Sequence, residues 1–112
     1  MKKIEAIIRP EKLEAVRNAL EKAGCGGLMI SEIEGHGKQK GVVQQWRGEK
    51  YKVELLPNVK IEVVVKDQDL ERITKTIIDS AKTGEIGDGK IFISSIEDAI
   101  RIRTGEKGEE AL

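Results

Sequence analysis

The sequence predicts an α+β fold in which two strand–helix–strand units share one four-stranded antiparallel sheet. The main observation is internal repetition, because an apolar β-branched run at residues 4–8 has a counterpart 57 residues later, at residues 61–65. The second observation is that a helical apolar stripe follows each of these runs. With 112 residues, the chain is long enough for a single domain that has its own core.

The two predicted helices follow from apolar positions spaced three and four residues apart. The first helix spans about residues 11–23 and the second about residues 68–82, each with one apolar face. The expected boundary residues are Pro10 and Gly24 for the first helix, and Asp67 (as N-cap) and Gly84 for the second.

The closing strands of the two units are expected at residues 28–34 and 90–94, so that each half of the chain reads strand, helix, strand. Two such units in tandem, each with a helix that is apolar on one face, give the ferredoxin-like arrangement of a sheet covered on one side. The uncovered face and the open sheet edges predict a symmetric homo-oligomer.

Composition excludes several classes of function. Twenty basic and twenty acidic residues cancel, whereas nucleic-acid binders carry a basic excess. The single cysteine rules out an intrachain disulfide or a cysteine metal cluster and favours a cytoplasmic protein. No apolar run approaches the roughly 18–20 residues of a membrane span, and the N-terminal residues do not read as a signal peptide, so we expect no direct insertion into a membrane.

A segment at residues 35–58 separates the two repeats and is longer than the fold needs. A ferredoxin-like unit closes this connection with a handful of residues, and loops of this length are usually functional or disordered. Glycines make the base of the loop flexible, and Tyr51 follows three residues after Gly48, which lies near the tip. One interpretation is a mobile arm that contacts partners. The other is a long β-hairpin that only decorates the sheet.

The loop at residues 82–90 contains Gly-x4-Gly-Lys, which is the first part of a P-loop. Two features argue against a nucleotide hydrolase: Ile91 follows where a magnesium-binding hydroxyl is needed, and the loop runs from a helix into a strand rather than the reverse. The glycines still allow backbone N–H groups to converge on an anion, with added charge from Lys90. The alternative is an ordinary helix-to-strand turn.

The C-terminal segment, residues 100–112, contributes two arginines. On an extended backbone Arg101 and Arg103 point the same way, with isoleucines on the opposite face. Two guanidinium groups on one face suit a polyphosphate. The alternative is an ordinary strand with a solvated basic face. Together with Lys90 and the glycine loop, the two arginines favour an anion site.

With these residues considered, the chain resembles the PII family of nitrogen-regulatory signal-transduction proteins over essentially its whole length. The most specific matches are Thr-Gly-Glu-Ile-Gly-Asp-Gly-Lys-Ile-Phe at residues 83–92 and Ile-Arg-Ile-Arg-Thr-Gly-Glu at residues 100–106. Further matches lie at residues 37–41, 47–51, 56–57 and 59–62.

The resemblance implies a homotrimer that binds ATP or ADP in the clefts between subunits. The implied nucleotide-binding residues come from the root of the long loop, the second repeat, the glycine loop and the C-terminal segment: Gly35, Gly37, Lys38, Gln39, Glu62, Val64, Gly87, Asp88, Gly89, Lys90, Arg101 and Arg103. For 2-oxoglutarate, which binds beside magnesium-ATP in such proteins, the implied residues are Gln39, Lys40, Gly41 and Gly87, with Gln39 also a ligand of Mg²⁺.

The function that the resemblance implies is regulatory and not enzymatic. The long loop would respond to ATP, ADP and 2-oxoglutarate and dock on targets of nitrogen metabolism such as an ammonium transporter or glutamine synthetase. Tyr51 occupies the position that some relatives uridylylate or adenylylate. The implied location is the cytoplasm, with membrane association only through a transporter.

The chain departs from the family pattern at three positions that bear on ligands. Asn58 stands where the family usually has a lysine that pairs with a carboxylate of 2-oxoglutarate. Met29 replaces a threonine that commonly faces the adenine, and Lys38 replaces an arginine. An adenylate-charge sensor that does not respond to 2-oxoglutarate is therefore an alternative.

Three further alternatives belong to other classes of protein. The truncated P-loop pattern leaves open slow ATP hydrolysis, although no candidate base or nucleophile is evident. A trimeric ferredoxin-like metal-handling protein is disfavoured by a lone histidine and a lone cysteine. An RNA-binding module is disfavoured by the scarcity of aromatic residues and the balanced charge.

Overall fold

The computed structural model describes residues 1–32, 43–46, 49–52 and 59–112. Each α-helix is preceded by a short 3-10 turn, and a further 3-10 turn, Gly108–Ala111, follows the last strand. The elements are β1 (Lys2–Ile8), α1 (Leu13–Lys22), β2 (Met29–Glu32), β3 (Val43–Trp46), β4 (Glu49–Lys52), β5 (Val59–Val65), α2 (Leu70–Ala81) and β6 (Gly89–Ser95).

The main sheet has four strands in the order β2-β5-β1-β6, and all neighbouring strands are antiparallel. The register places Ile4 of β1 opposite Val63 of β5 and Ile93 of β6. This order places the first strands of the two repeats side by side at the centre, and the closing strands at the two edges. The ferredoxin-like fold predicted from the repeat is therefore confirmed.

One face of the sheet carries the core because β1 and β5 alternate between buried and partly exposed side chains. Helices α1 and α2 pack on this face and contribute their apolar stripes. The buried hydrophobic residues among those described are Ile4, Ala6, Ile8, Val16, Leu20, Val59, Ile61, Val63, Val65, Ile73, Ile77 and Ala81.

The other face of the sheet carries charges in its middle and is not covered by a helix. Lys3 Nζ lies 3.0 Å from Glu5 Oε1 and 3.1 Å from Glu62 Oε2, while Lys60 Nζ lies 3.3 Å from Glu62 Oε1. Hydrogen bonds from Lys3 and Lys60 lower the pKa of Glu62, and those to Glu5 and Glu62 raise the pKa of Lys3. The Lys3–Glu62 ion pair therefore joins β1 to β5 on this face, while the other two pairs lie within single strands.

The end of α1 follows its sequence signal, whereas the start of α2 does not. Gly24 ends α1 as predicted, with φ of 89° and two bonds typical of a glycine-capped helix end: Gly24 N–H to the Glu21 carbonyl and Cys25 N–H to the Leu20 carbonyl. Asp67 is not the N-cap of α2, which was a wrong prediction. Its carboxylate accepts from the N-terminal ammonium at 2.9 Å instead.

The inserted segment at residues 35–58 includes a second, two-stranded sheet. Strand β3 pairs with β4 in antiparallel register, with Val43 opposite Lys52 and Trp46 opposite Glu49. The described part of the insertion is thus a β-hairpin. The other residues of the segment lie outside the described residues, so the interpretation as a partner-binding arm stays a prediction.

Candidate functional site

The glycine loop predicted at residues 82–90 joins the end of α2 to the start of the edge strand β6. Its last glycine, Gly89, has φ of 107° and pairs with Ile8 of β1. A Cβ atom at this position would lie 1.7 Å from the carbonyl oxygen of Ile7, so only glycine fits here without a shift of the backbone. The loop therefore lies directly against the end of the central strand.

A single carboxylate organises the inside of this loop. Asp88 Oδ2 accepts from the N–H groups of Thr83 at 2.9 Å and Gly84 at 2.8 Å. Its Oδ1 accepts from the Thr83 hydroxyl and, at 3.1 Å, from Arg9 Nε. The same arginine donates from Nη2 to the carbonyl of Ile86 at 2.8 Å. The loop is thus bonded to its own two ends and to the residue that follows β1.

These bonds keep Asp88 ionised. The hydrogen bond from the Thr83 hydroxyl, the N–H groups of Thr83 and Gly84, and Arg9 together hold the pKa of Asp88 far below its usual range. The negative charge therefore lies inside the loop with Arg9 beside it.

Acid is expected to weaken this loop in a way that depends on Asp88. Because folding depresses the pKa of this carboxyl below its ordinary value of 3.8, its stabilising contribution is present above that value and is lost as the pH falls through the lower folded pKa. The difference in melting temperature between the wild type and Asp88→Asn, followed from about pH 6 to about pH 2, should begin to narrow below about pH 4 and should narrow further as the pH falls. A gap that stays constant over this range would contradict the expectation.

A small apolar cavity of about 250 Å³ opens beside the loop, between the end of α2 and the β1–β6 edge. Its walls include Ile7, Ile77 and Ile78, and its rim includes Lys90. Ligand pockets usually measure about 300–1,000 Å³. As formed by the described residues, this cavity is slightly smaller than that range.

The two C-terminal arginines do not lie on an extended strand, so that prediction was wrong. Residues 102–104 form a turn, because Gly105, with φ of 75°, lets its N–H reach the Arg101 carbonyl at 2.7 Å. Arg101 donates from Nη1 to Glu106 Oε1 at 2.9 Å and from Nη2 to the Glu110 carbonyl at 3.0 Å. Arg103 is exposed.

The residues predicted on the second repeat lie apart from the glycine loop within one protomer. Glu62 and Val64 are on β5, which is separated from β6 by β1, a distance of roughly 10 Å between strands. Val64 lines a cleft of about 310 Å³ with Met29, on the side of the opposite edge strand β2. The predicted nucleotide residues on the described strands therefore form two separate groups, one at the β6 edge and one on β5.

Several predicted residues lie outside the described part of the structure. These are Gly35, Gly37, Lys38, Gln39, Lys40, Gly41 and Asn58. Tyr51 lies in β4 opposite Gln44, and its side chain is not described. The predicted roles of these residues in binding nucleotide, Mg²⁺ and 2-oxoglutarate, and in modification, stay predictions.

Sequence reasoning placed Thr83 in the loop but missed that Thr83 and Arg9 donate hydrogen bonds to Asp88. Thr83 stood in the matched motif, but its hydroxyl had no visible partner in the sequence. Arg9 lies 79 residues from Asp88, and a lone arginine before Pro10 carries no local signal. Only the antiparallel pairing of β1 with β6 brings the two side chains together.

No helix among the described residues has both the length and the apolar character that crossing a membrane requires. Among the same residues, no three histidine, cysteine, aspartate or glutamate side chains are grouped as a metal site requires.

The fold and the loop together define a class: ferredoxin-like domains with a glycine-and-lysine loop between the second helix and an edge strand. The family model for nitrogen regulatory protein P-II matches residues 1–106. The chain is 55% identical over 112 residues to nitrogen regulatory protein P-II 2 of Methanothermobacter thermautotrophicus, covering all of this chain and 97% of that protein. It is 54% identical to nitrogen regulatory protein P-II of Microchaete diplosiphon, with both chains fully covered.

A solved structure agrees with this relationship. The crystal structure of Arabidopsis thaliana PII bound to citrate superimposes with a TM-score of 0.79 at 42% identity, covering 99% of this chain and 91% of that chain. The chain therefore belongs to the nitrogen regulatory protein P-II family.

Proposed function

We propose that this protein is a regulatory sensor that binds ATP or ADP between the subunits of a homotrimer. With Mg²⁺ and ATP it also binds 2-oxoglutarate, and it controls targets of nitrogen metabolism through the segment at residues 35–58. The observation that carries the proposal is the glycine loop held against the end of β1, with Lys90 at the head of β6. Family membership supports the regulatory role.

The chemistry of the loop suits phosphate groups. Gly89 and Lys90 are both exposed at the end of the loop, so a backbone N–H without a neighbouring side chain and a cationic side chain lie next to each other. The Asp88 charge does not oppose a phosphate strongly, because the carboxylate is paired with the Arg9 guanidinium and also accepts three hydrogen bonds from Thr83 and Gly84. A polyphosphate is therefore the ligand class that this loop favours.

The candidate nucleotide-binding residues lie in two separate groups, and a site between subunits would bring the two groups together. The glycine loop belongs to the β6 edge, while Val64 and Met29 line a cleft on the β2 side. A nucleotide can contact both sets if the β6 edge of one subunit faces the β2 edge of the next, as cyclic symmetry allows. Arg103, which is exposed, is then available to the phosphates from the C-terminal segment, whereas Arg101 would have to exchange its bonds to Glu106 and Glu110.

A carboxylate effector has support from one relative. The Arabidopsis PII protein was solved with citrate, a small polycarboxylate. For this chain we propose 2-oxoglutarate, held with the Mg²⁺ by Gln39 and neighbouring loop residues. Asn58 removes one cationic partner that relatives supply, so the affinity for 2-oxoglutarate is expected to be lower than theirs.

The signal in this proposal is a difference in affinity between two loop conformations. ATP with 2-oxoglutarate favours one conformation and ADP the other, so that target binding follows the occupancy of the site. A coupling of about 1–3 kcal/mol, roughly 5–150-fold in affinity, is enough for such a switch. No bond of the nucleotide needs to break, so the function is regulatory and not catalytic.

The test is a calorimetric titration with magnesium-ATP, with and without saturating 2-oxoglutarate. Lys90→Met should weaken ATP binding by about tenfold or more, the equivalent of a lost charge-assisted bond of about 1.5–3 kcal/mol. Lys75→Met is the matched control, because Lys75 pairs with Asp79 on the surface of α2. Failure of the wild type to bind ATP would overturn the proposal.

The titration with 2-oxoglutarate distinguishes a full sensor from one that responds only to ATP and ADP. ATP binding that strengthens with 2-oxoglutarate supports the full sensor. ATP binding indifferent to 2-oxoglutarate would leave an adenylate-charge sensor and overturn the effector part of the proposal.

A further inference from the structure

Arg9, Thr83, Asp88 and the Ile86 carbonyl form a connected hydrogen-bonded group, called here the Arg9–Asp88 clamp. The arginine fork spans two points of the loop, with Nε on Asp88 and Nη2 on the Ile86 carbonyl. The carboxylate in turn bonds the first residues of the loop, Thr83 and Gly84. The clamp therefore fixes both the entry and the exit of the loop relative to β1.

The carboxylate of Asp88 has no lone pair left to accept a hydrogen bond from a ligand. Both oxygens accept two hydrogen bonds each, and all four donors come from Arg9, Thr83 and Gly84. A negatively charged group saturated in this way neither attracts a phosphate nor needs a metal ion. Its contacts are those of a group that holds the backbone of the loop in one conformation.

From this geometry we propose that Arg9 and Asp88 are positioning residues for the candidate phosphate loop and do not themselves contact the nucleotide. This inference rests on the proposed function and changes the role that the resemblance implies for Asp88. The clamp holds residues 83–88 in one conformation, so that Gly87, Gly89 and Lys90 face the ligand before it arrives.

The physical reason is pre-organisation. A loop with three glycines has unusual backbone freedom. If the loop becomes ordered only when a ligand binds, the conformational entropy it loses lowers the affinity. The guanidinium group also lies against the turn itself, since Arg9 Nη2 is 3.2 Å from the place where a Cβ of Gly87 would be. The clamp thus also orders the loop at Gly87, one of the proposed nucleotide-binding residues.

The test combines magnesium-ATP titration with hydrogen exchange of the loop amides. Asp88→Asn and Arg9→Gln should each weaken ATP binding by about tenfold through lost pre-organisation. Each should also accelerate amide exchange at residues 83–87 in the protein without nucleotide. Because both residues act through one group, the double variant should lose no more than the weaker-binding single variant.

Matched variants separate positioning from direct contact. Asp79→Asn on α2 is the control, because Asp79 is a 62% exposed partner of Lys75, and it should change neither readout. Thr83→Ser keeps the hydroxyl that Asp88 accepts from and should retain binding, whereas Thr83→Val should lose it in part. Saturating ATP should restore slow exchange in Asp88→Asn.

Three results would overturn the proposal. The first is unchanged exchange in Asp88→Asn, and the second is additive losses in the double variant. The third is an altered Mg²⁺ requirement in Asp88→Asn, which would indicate direct metal contact. If the wild type does not bind ATP, the proposed function fails, but the exchange experiment still decides whether Arg9 and Asp88 order the loop.

Discussion

Replacing Gly89 with alanine is expected to abolish ATP binding and to disrupt the pairing of β6 with β1. An L-residue at φ of 107° is strained by about 1–3 kcal/mol from backbone conformation alone. The added Cβ would also lie 1.7 Å from the Ile7 carbonyl oxygen. The clash is with the backbone of β1, and Gly89 itself is the first residue of β6. It can therefore be relieved only by moving the start of β6, which carries Lys90. Calorimetry with magnesium-ATP and thermal melting measure the two effects.

Gly84→Ala is the matched control for this prediction. Gly84 also has a positive φ, of 91°, but a Cβ there meets nothing within 4 Å among the described residues. Its variant should therefore show backbone strain without the clash and keep measurable ATP binding. Equal damage from the two substitutions would mean that the close approach of Gly89 to β1 is not what matters.

The fold could be predicted because the information for it is local and repeated. Each half carries an alternating β pattern followed by a helical stripe, and the 57-residue offset shows that both halves build the same unit. Strand order then follows from the rules that govern such units. The error at Asp67 arose because an N-cap is only one partner for an aspartate. Here the N-terminal ammonium competes for it.

The candidate site could be predicted only in part, since its organisation depends on contacts between distant residues. The glycines and Lys90 mark the loop in the sequence, but nothing in the sequence indicates that Asp88 turns inward to Arg9. The extended geometry assumed for Arg101 and Arg103 failed for a related reason. Gly105 allows a turn in which its N–H bonds to the Arg101 carbonyl. The two-residue alternation of the sequence gives no indication of this bond.

Substituting Ile4 with alanine is expected to cause the largest loss of stability among single core changes of this size. Ile4 is fully buried in the central strand β1, where it lies opposite Val63 and Ile93 and beneath the helices. Its truncation removes apolar contact and leaves a cavity, which together cost about 2–5 kcal/mol in comparable cores. Urea unfolding followed by circular dichroism measures the change in the free energy of unfolding.

The control for Ile4→Ala is the same substitution at Ile102, whose side chain is fully exposed in the turn before Gly105. Ile102→Ala should change the free energy of unfolding by no more than about 0.5 kcal/mol, as surface substitutions usually do. Both variants must be compared at one protomer concentration, because the stability of an oligomer depends on concentration. Equal losses at the two positions would contradict the assignment of the core to the helix-covered face. A large loss at Ile4 alone would place the stability of the fold in the packing of β1 under the helices, which is also the strand that the glycine loop is held against.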